Sequence, residues 1–165
     1  MAITLSFDLS TPQSTRQILE KNLPNDLYFP IHIHVDTQGL TLKDLSKEAP
    51  LNSLRFSLLD KSHQYLSQTL NKKQILWRAL HLGKSKTTPT IVDCTSGFGT
   101  DSFILHQLGA HVISIECNPL IAILLKTAVH QFLSASHIQP SNTWTVVSNK
   151  ADKWIKKQNV TTFTH

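Results

Sequence analysis

The stretch that decides the fold is Pro89-Thr-Ile-Val-Asp-Cys-Thr-Ser-Gly-Phe-Gly-Thr-Asp101. Its first six residues form a short apolar run that predicts a buried strand, and the residues from Thr100 to Leu108 predict a helix that ends at Gly109. Between them, Gly97 and Gly99 predict a tight turn, because glycine adopts backbone conformations closed to other residues and lets a ligand approach closely. The stretch therefore predicts a strand, a glycine turn and a helix, in that order.

The sequence after this stretch repeats the alternation. Residues 111–116 predict a second buried strand, Asn118 and Pro119 cap and begin a long helix, residues 144–147 predict a third strand, and residues 151–157 predict a short helix. Strands that alternate with helices predict an α/β fold with a doubly wound, Rossmann-like parallel sheet. We expect the first of the three strands to lie in the middle.

The first part of the chain has a different pattern. We expect residues 1–60 to form a small N-terminal α+β domain and residues 61–165 to form the N-terminal half of the Rossmann-like domain. Alternation and turn residues predict strands at 3–9, 29–35, 39–42 and 54–58, a helix at 12–22, and a further helix from the cap Asn71 to Gly83.

Two histidines are the candidate metal ligands of the first part. His32 and His34 share one face of their predicted strand. We find no Asp, Glu or Cys nearby that completes a ligand set, so we interpret this strand as an ordinary edge strand and predict no metal.

The composition of the sequence limits the kinds of protein to which the chain can belong. No run of the 165 residues reaches the roughly 18 apolar residues of a membrane span. The two cysteines, Cys94 and Cys117, form no CxxC pair, and we interpret both as structural fillers in a cytoplasmic protein. Residues 61–165 hold eleven Lys/Arg against four Asp/Glu, a balance of +7. Such a segment suits nucleic-acid binding or a merely solvated basic face, and charge alone leaves both open.

Acidic residues beside the turn indicate the ligand. Glu116 ends the second strand nineteen positions after Gly97, which suits a carboxylate that accepts both ribose hydroxyls of a nucleoside. Position 102 is Ser, where a dinucleotide-binding motif has its third glycine. Asp93 can face the ammonium or sulfonium group of S-adenosyl-L-methionine and would repel a pyrophosphate. S-adenosylmethionine is therefore favoured over NAD, and a turn that only links strand and helix is the third alternative.

Here a resemblance becomes specific. The region from Ile75 to Val129 resembles the ribosomal RNA small subunit methyltransferase J family, which methylates the exocyclic amine (N2) of a guanine in 16S rRNA. The family motif is similar to Asp-Ala-Thr-Ala-Gly-Leu-Gly-Arg-Asp, followed by Glu-Arg-Asn/Ser-Pro. The residues that carry the resemblance are Val92-Asp-Cys-Thr-Ser-Gly-Phe-Gly-Thr-Asp-Ser-Phe103, Leu108-Gly109, and Ile115-Glu-Cys-Asn-Pro119 with Leu124-Leu125.

The resemblance implies roles for individual residues. Thr100 and Asp101 would border S-adenosylmethionine at the first turn, and Glu116 with Cys117 would hold the ribose side. The loop around Lys150 and Ala151 would flank the adenine. Thr100 and Cys117 each replace an Arg of the family pattern, which removes two positive charges. The implied partner is 16S rRNA or the 30S subunit.

A catalytic motif is absent from the sequence. Enzymes of this kind place Asp/Asn-Pro-Pro/Met-aromatic after a fourth strand, where it orients the amine and stacks on the flipped base. No Asp-Pro occurs here, and the Asn118-Pro119 pair follows the second strand as a helix cap. We therefore expect a truncated or frameshifted product, or a piece of a longer chain, that leaves 16S rRNA unlabelled when incubated with labelled cofactor. The alternatives are a fragment of an NAD(P)-binding oxidoreductase and a non-enzymatic RNA-binding module.

Overall fold

The computed structural model describes residues 3–23, 30–46, 53–70, 75–80, 87–135 and 141–158, which form two sheets with helices between and around them. The element bounds agree with most of those that the sequence predicts. The strands are β1 (Thr4–Phe7), β2 (Ile31–Asp36), β3 (Gly39–Asp44), β4 (Ser53–Phe56), β5 (Thr90–Asp93), β6 (His111–Glu116) and β7 (Trp144–Ser148). The helices are α1 (Gln13–Asn22), α2 (Lys61–Thr69), α3 (Ile75–Ala79), α4 (Thr100–Gln107), α5 (Pro119–Ala135) and α6 (Ala151–Lys157).

The second sheet confirms the predicted α/β fold and its parallel strands. Its order is β5-β6-β7, and both neighbouring pairs are parallel. The expectation that the first strand lies in the middle is wrong, because β6 lies there. Two successive crossovers in the same direction place the three strands side by side in chain order. In a doubly wound sheet the first strand becomes central only when later strands add to its other edge.

The N-terminal sheet contains the predicted strands in the order β1-β2-β3-β4. β1 and β2 are parallel and joined by α1, whereas β2–β3 and β3–β4 are antiparallel. The interpretation of the His32–His34 strand as an edge strand is wrong, because β2 pairs with β1 on one side and with β3 on the other. The crossover through α1 supplies the second neighbour, and local alternation in sequence does not reveal it.

Helix α2 is the element that the sequence analysis missed. The Asp60 side chain caps it by accepting the backbone N–H of His63 at 2.8 Å, yet none of its residues is buried. Tyr65 and Leu66 are the only apolar residues of α2, too few to form the apolar pattern on which sequence prediction depends. α3 lies within the helix predicted over 71–83, whose proposed cap, Asn71, and end, Gly83, lie outside the described residues.

One apolar core joins the two sheets. Helices α4 and α5 meet through the rings of Phe103 and Phe132, whose centroids are 5.4 Å apart. Leu19 and Val35 of the N-terminal part belong to the same buried cluster as Phe103 and Trp144. This shared core positions the glycine turn between the second sheet and the N-terminal sheet. Among the described helices, none is long and apolar enough to cross a membrane.

A buried histidine lies within this core and makes stability depend on pH. His106 is 3% exposed, packs against the rings of Phe132 and Trp144, and has no hydrogen-bond partner for either ring nitrogen among the described residues. Burial lowers the pKa of His106 below its ordinary value of 6.5. The unfolded chain therefore takes up a proton below about pH 6.5 that the folded chain resists, and folding free energy is lost as the pH falls.

We expect His106→Phe to remove this acid sensitivity. The parent should lose up to about 1.4 kcal/mol of stability per pH unit through this group below pH 6.5, and the variant should lose that much less. At neutral pH the aromatic replacement should change stability by less than about 1.5 kcal/mol. Urea unfolding between pH 5 and pH 8 measures both the loss of stability at acid pH and the change in stability at neutral pH. His130→Gln is the control, because His130 is bonded to Ser14 on the surface and its replacement should keep the parental slope. An unchanged acid slope in His106→Phe would contradict the assignment.

Candidate functional site

The predicted site residues meet at one edge of the second sheet. β5, β6 and β7 are parallel, so their carboxyl ends, Asp93, Glu116 and Ser148, lie along the same edge. Ligands of open α/β sheets bind outside this edge. The loops that follow the three strands supply Gly97, Gly99, Thr100, Asp101, Cys117, Lys150 and Ala151.

The two glycines of the turn have different tasks. Gly97 and Gly99 have φ angles of +50° and +78°, which L side chains rarely adopt. A Cβ at Gly99 would lie 2.6 Å from a terminal methyl carbon of the buried Leu125, so this glycine lets the turn pack on α5. A Cβ at Gly97 would meet no atom within 4 Å. Gly97 therefore borders open space at the strand edge, as a cradle for a ligand requires.

Glu116 connects the turn to the second strand. Its Oε2 accepts the backbone N–H of Gly97 at 2.9 Å, and its Oε1 accepts the backbone N–H of Asn118 at 2.7 Å. The backbone N–H of Asn149, which follows β7, donates to the Glu116 carbonyl oxygen at 3.0 Å. The carboxylate is half-buried, and each oxygen keeps a lone pair for a further donor such as a hydroxyl. Glu116 thus links all three loops of the site.

Asp93 is held by a chain of hydrogen bonds that runs from the site into the core. Its Oδ1 accepts the backbone N–H of Thr95 at 3.1 Å, and its Oδ2 accepts the Ser102 hydroxyl at 2.6 Å. The Ser102 and Ser114 hydroxyl oxygens are 2.7 Å apart, and the Trp144 indole N–H donates to Ser114 at 2.8 Å. The chain joins β5, α4, β6 and β7, and it fixes the orientation of Asp93. Whether this carboxylate faces a cofactor stays a prediction.

Sequence reasoning treated Ser102 only as a missing glycine and overlooked this network. Ser102 and Ser114 are both fully buried. A buried hydroxyl needs a partner, so a serine at an apolar position of a strand or helix was the signal that could have revealed it.

The remaining predicted residues lie around the same edge. Thr100 and Asp101 are exposed in the first turn of α4, Lys150 precedes α6, and Ala151 begins it. The interpretation of Cys94 and Cys117 as structural fillers is wrong, because both thiols are exposed. They follow the ends of β5 and β6 directly and so belong to the loops of the site.

One of the two histidines of β2, His34, has acidic neighbours, contrary to the sequence expectation, whereas His32 is hydrogen-bonded to the hydroxyls of Thr4 and Ser6. Parallel pairing with β1 brings Asp8 to 3.4 Å from His34 Nε2, and Asp36 lies on the same face. Both Asp36 oxygens accept from the Arg55 guanidinium, at 2.9 and 3.0 Å. Burial raises the pKa of Asp36, but the hydrogen bonds from Arg55, Gln38 and Gly39 and the charge of Arg55 together outweigh burial and hold the pKa below 3.8. Arg55 therefore competes with any cation for Asp36, and the absence of a metal stays a prediction.

A parallel sheet with a glycine turn after one strand and a carboxylate after the next defines an α/β domain that binds a nucleoside-containing cofactor. The family model described as "Putative SAM-dependent methyltransferase" matches residues 17–162. The chain belongs to this family of S-adenosylmethionine-dependent methyltransferases.

Three curated relatives share the name ribosomal RNA small subunit methyltransferase J. The protein of Buchnera aphidicola is 33% identical over 116 residues, 68% of this chain and 45% of the relative. That of Dechloromonas aromatica is 32% identical over 120 residues, 72% of this chain and 48% of the relative. That of Coxiella burnetii is 45% identical over 60 residues, 36% of this chain and 23% of the relative. The chain thus spans less than half the length of these relatives.

A solved structure supports the fold. The crystal structure of a SAM-dependent methyltransferase from Neisseria gonorrhoeae aligns with a TM-score of 0.65 and 16% sequence identity, and the alignment covers 97% of this chain and 64% of that one. The likeness extends over both the N-terminal sheet and the second sheet.

Proposed function

We propose that this chain binds S-adenosylmethionine at the edge of β5, β6 and β7, as the cofactor-binding part of an enzyme that methylates a guanine N2 of 16S rRNA. The observation that carries the proposal is the position of Glu116. Its carboxylate lies beside the open space at Gly97 and is held there by two backbone N–H groups. The relatives named ribosomal RNA small subunit methyltransferase J support the substrate.

The residues present fit the cofactor chemically. Glu116 would accept the ribose hydroxyls, since a carboxylate accepts charge-assisted hydrogen bonds. Cys117 with Lys150 and Ala151 would border the adenine, and Thr100 and Asp101 would border the amino-acid end. Asp93 would place negative charge near the cationic part. When bound, S-adenosylmethionine supplies a methyl group on a positively charged sulfur.

The chain's own contribution to the reaction is binding and orientation. The turn and Glu116 are tied to the strands by hydrogen bonds, so the cofactor would be held in one position relative to the sheet. A fixed position removes much of the entropic cost of bringing an amine and a methyl group together in line.

Basic side chains support an RNA partner. Four lysines are exposed in and next to α6, the helix that follows β7 at the proposed cofactor edge: Lys150, Lys153, Lys156 and Lys157. Lysines on such a surface attract phosphates and release counterions. 16S rRNA or the 30S subunit is thus the proposed partner, and the cytoplasm is the proposed compartment.

Calorimetry tests the cofactor assignment. The chain is titrated with S-adenosylmethionine, with S-adenosylhomocysteine and with NAD⁺, and we expect heat from the first two alone. Binding of NAD⁺ in their place would support the oxidoreductase alternative. Retention of labelled 16S rRNA or 30S subunits, with and without cofactor, tests the partner. RNA retention by a chain that binds no cofactor would support an RNA-binding module.

A further inference from the structure

A cleft opens beside the glycine turn, between the N-terminal sheet and α4. It has a volume of about 190 Å³ and lies among the end of β4, the residues that precede and begin α2, and the turn itself. Phe98 of the turn forms one wall, together with Leu54 and Phe56 of β4. The turn that borders the cofactor edge through Gly97 therefore also borders this cleft through the next residue.

Phe98 is an aromatic side chain held open to solvent. Its ring lies 4.9 Å from the Phe56 ring at 53° and is 37% exposed, whereas Phe56 is only 7% exposed. The neighbouring Leu54 is 50% exposed. The buried ring thus supports one side of Phe98, and an apolar surface remains uncovered next to it. Such a surface can bind a flat apolar face, such as that of a nucleobase or of another aromatic ring.

The polar residues of the cleft select the kind of ligand. Asp60 Oδ1 accepts from the His63 backbone and ring and from Ser62, at 2.7 to 2.8 Å, and no described residue donates to Oδ2. Burial raises the pKa of Asp60, but these hydrogen bonds outweigh it and keep the pKa below 3.8. An ionised carboxylate accepts an N–H donor and repels a phosphate. Arg55 also lines the cleft, but its guanidinium is paired with Asp36 at 2.9 Å. The Asp60 carboxylate therefore favours the edge of a nucleobase over the RNA backbone.

We propose that this cleft receives an unpaired nucleobase of the RNA substrate, stacked on Phe98 with its edge toward Asp60. The proposal rests on the proposed function, because it requires an RNA partner next to the cofactor edge. RNA-binding proteins commonly read unstacked bases in this way, with an aromatic ring on the base face and hydrogen bonds at its edge. The cleft would hold the strand beside the cofactor.

Removal of the Phe98 ring tests the proposal. The probe is a short unstructured RNA labelled with fluorescein, and fluorescence anisotropy measures its affinity at fixed salt. Phe98→Ala should weaken binding by about five- to 150-fold, the range expected for the loss of one base–aromatic stack. Phe98→Trp should keep the parental affinity. Tyr65→Ala is the matched control, because Tyr65 is 69% exposed on α2 but does not line the cleft, and it should bind like the parent.

A second probe distinguishes the loss of a stacking contact from a general disturbance of the fold. The same sugar-phosphate chain without bases should bind the parent and Phe98→Ala equally, since it offers nothing to stack. Parental affinity of Phe98→Ala for the RNA with bases would overturn the proposal, and so would an equal loss with both probes. Calorimetry with S-adenosylmethionine on the parent tests the proposed function independently. If Phe98→Ala also loses cofactor binding, Phe98→Leu is measured next. A Phe98→Leu variant that binds the cofactor but binds RNA weakly supports the stacking proposal. A Phe98→Leu variant that binds both the cofactor and RNA like the parent overturns it.

Discussion

Gly99→Ala should destabilise the fold by about 2–5 kcal/mol. The substitution forces an L side chain into the left-handed region at φ +78°, which costs about 1–2 kcal/mol. The new methyl group would also lie 2.6 Å from Leu125, a fully buried residue, and 3.4 Å from the Trp144 ring. Overpacking of a close-packed core typically costs about 1–3 kcal/mol. Urea unfolding at neutral pH measures the difference between variant and parent.

Gly97→Ala is the matched control, two residues earlier in the same turn. Its φ of +50° carries a strain of about 1 kcal/mol, but the added Cβ meets no atom within 4 Å. The two variants should therefore differ in the property that they lose. Gly99→Ala should lose mainly stability. Gly97→Ala should stay folded but lose cofactor affinity, because its methyl group fills the space for the ligand. Equal stabilities of the two variants would contradict the packing role of Gly99.

Local patterns predicted most elements of this fold, because strands and helices express their periodicity over a few residues. β6 and α6 have the predicted bounds, and Asn118 caps α5 by accepting from Leu120 and Ile121 at 3.0 and 3.3 Å. Strand order was not predictable in the same way. Which strand lies in the middle depends on all the strands that join the sheet, and the local sequence of β5 does not carry that information.

The site shows the same division between local and distant causes. Spacing along the chain indicated Glu116 and the two glycines, since each lies at a strand end that the pattern reveals. The Phe98 ring packs against Phe56, a residue 42 positions earlier, and this contact forms only through tertiary packing. The Asp8 neighbour of His34 likewise arrives through a crossover. Residues brought together by packing of distant segments leave no signal in a single sequence.

Glu116→Ala should weaken S-adenosylmethionine binding by at least about tenfold. Two hydrogen bonds from ribose hydroxyls to a carboxylate are worth roughly 1.5–3 kcal/mol each when well formed, and 1.4 kcal/mol is one decade of affinity. A carboxylate at the open end of a strand has little packing to lose, so its removal leaves the core intact. The structure adds a cost, because the Gly97 and Asn118 N–H groups lose their acceptor and the turn loses its anchor. Part of any affinity loss would then come from a loosened turn and not from the ribose.

A ligand without a ribose hydroxyl separates the two causes. S-adenosylhomocysteine and its 2′-deoxy analogue are titrated into the parent, Glu116→Ala and Glu116→Gln by calorimetry. A loosened turn weakens both ligands equally, whereas loss of the contact to the 2′-hydroxyl weakens the ligand that carries this hydroxyl further than its 2′-deoxy analogue. We therefore expect the parent to prefer the hydroxylated ligand by about tenfold or more and Glu116→Ala to lose most of that preference. Glu116→Gln keeps one acceptor oxygen and should fall between them. If all three proteins show the same preference, Glu116 only braces the turn, and the cofactor assignment loses its main support.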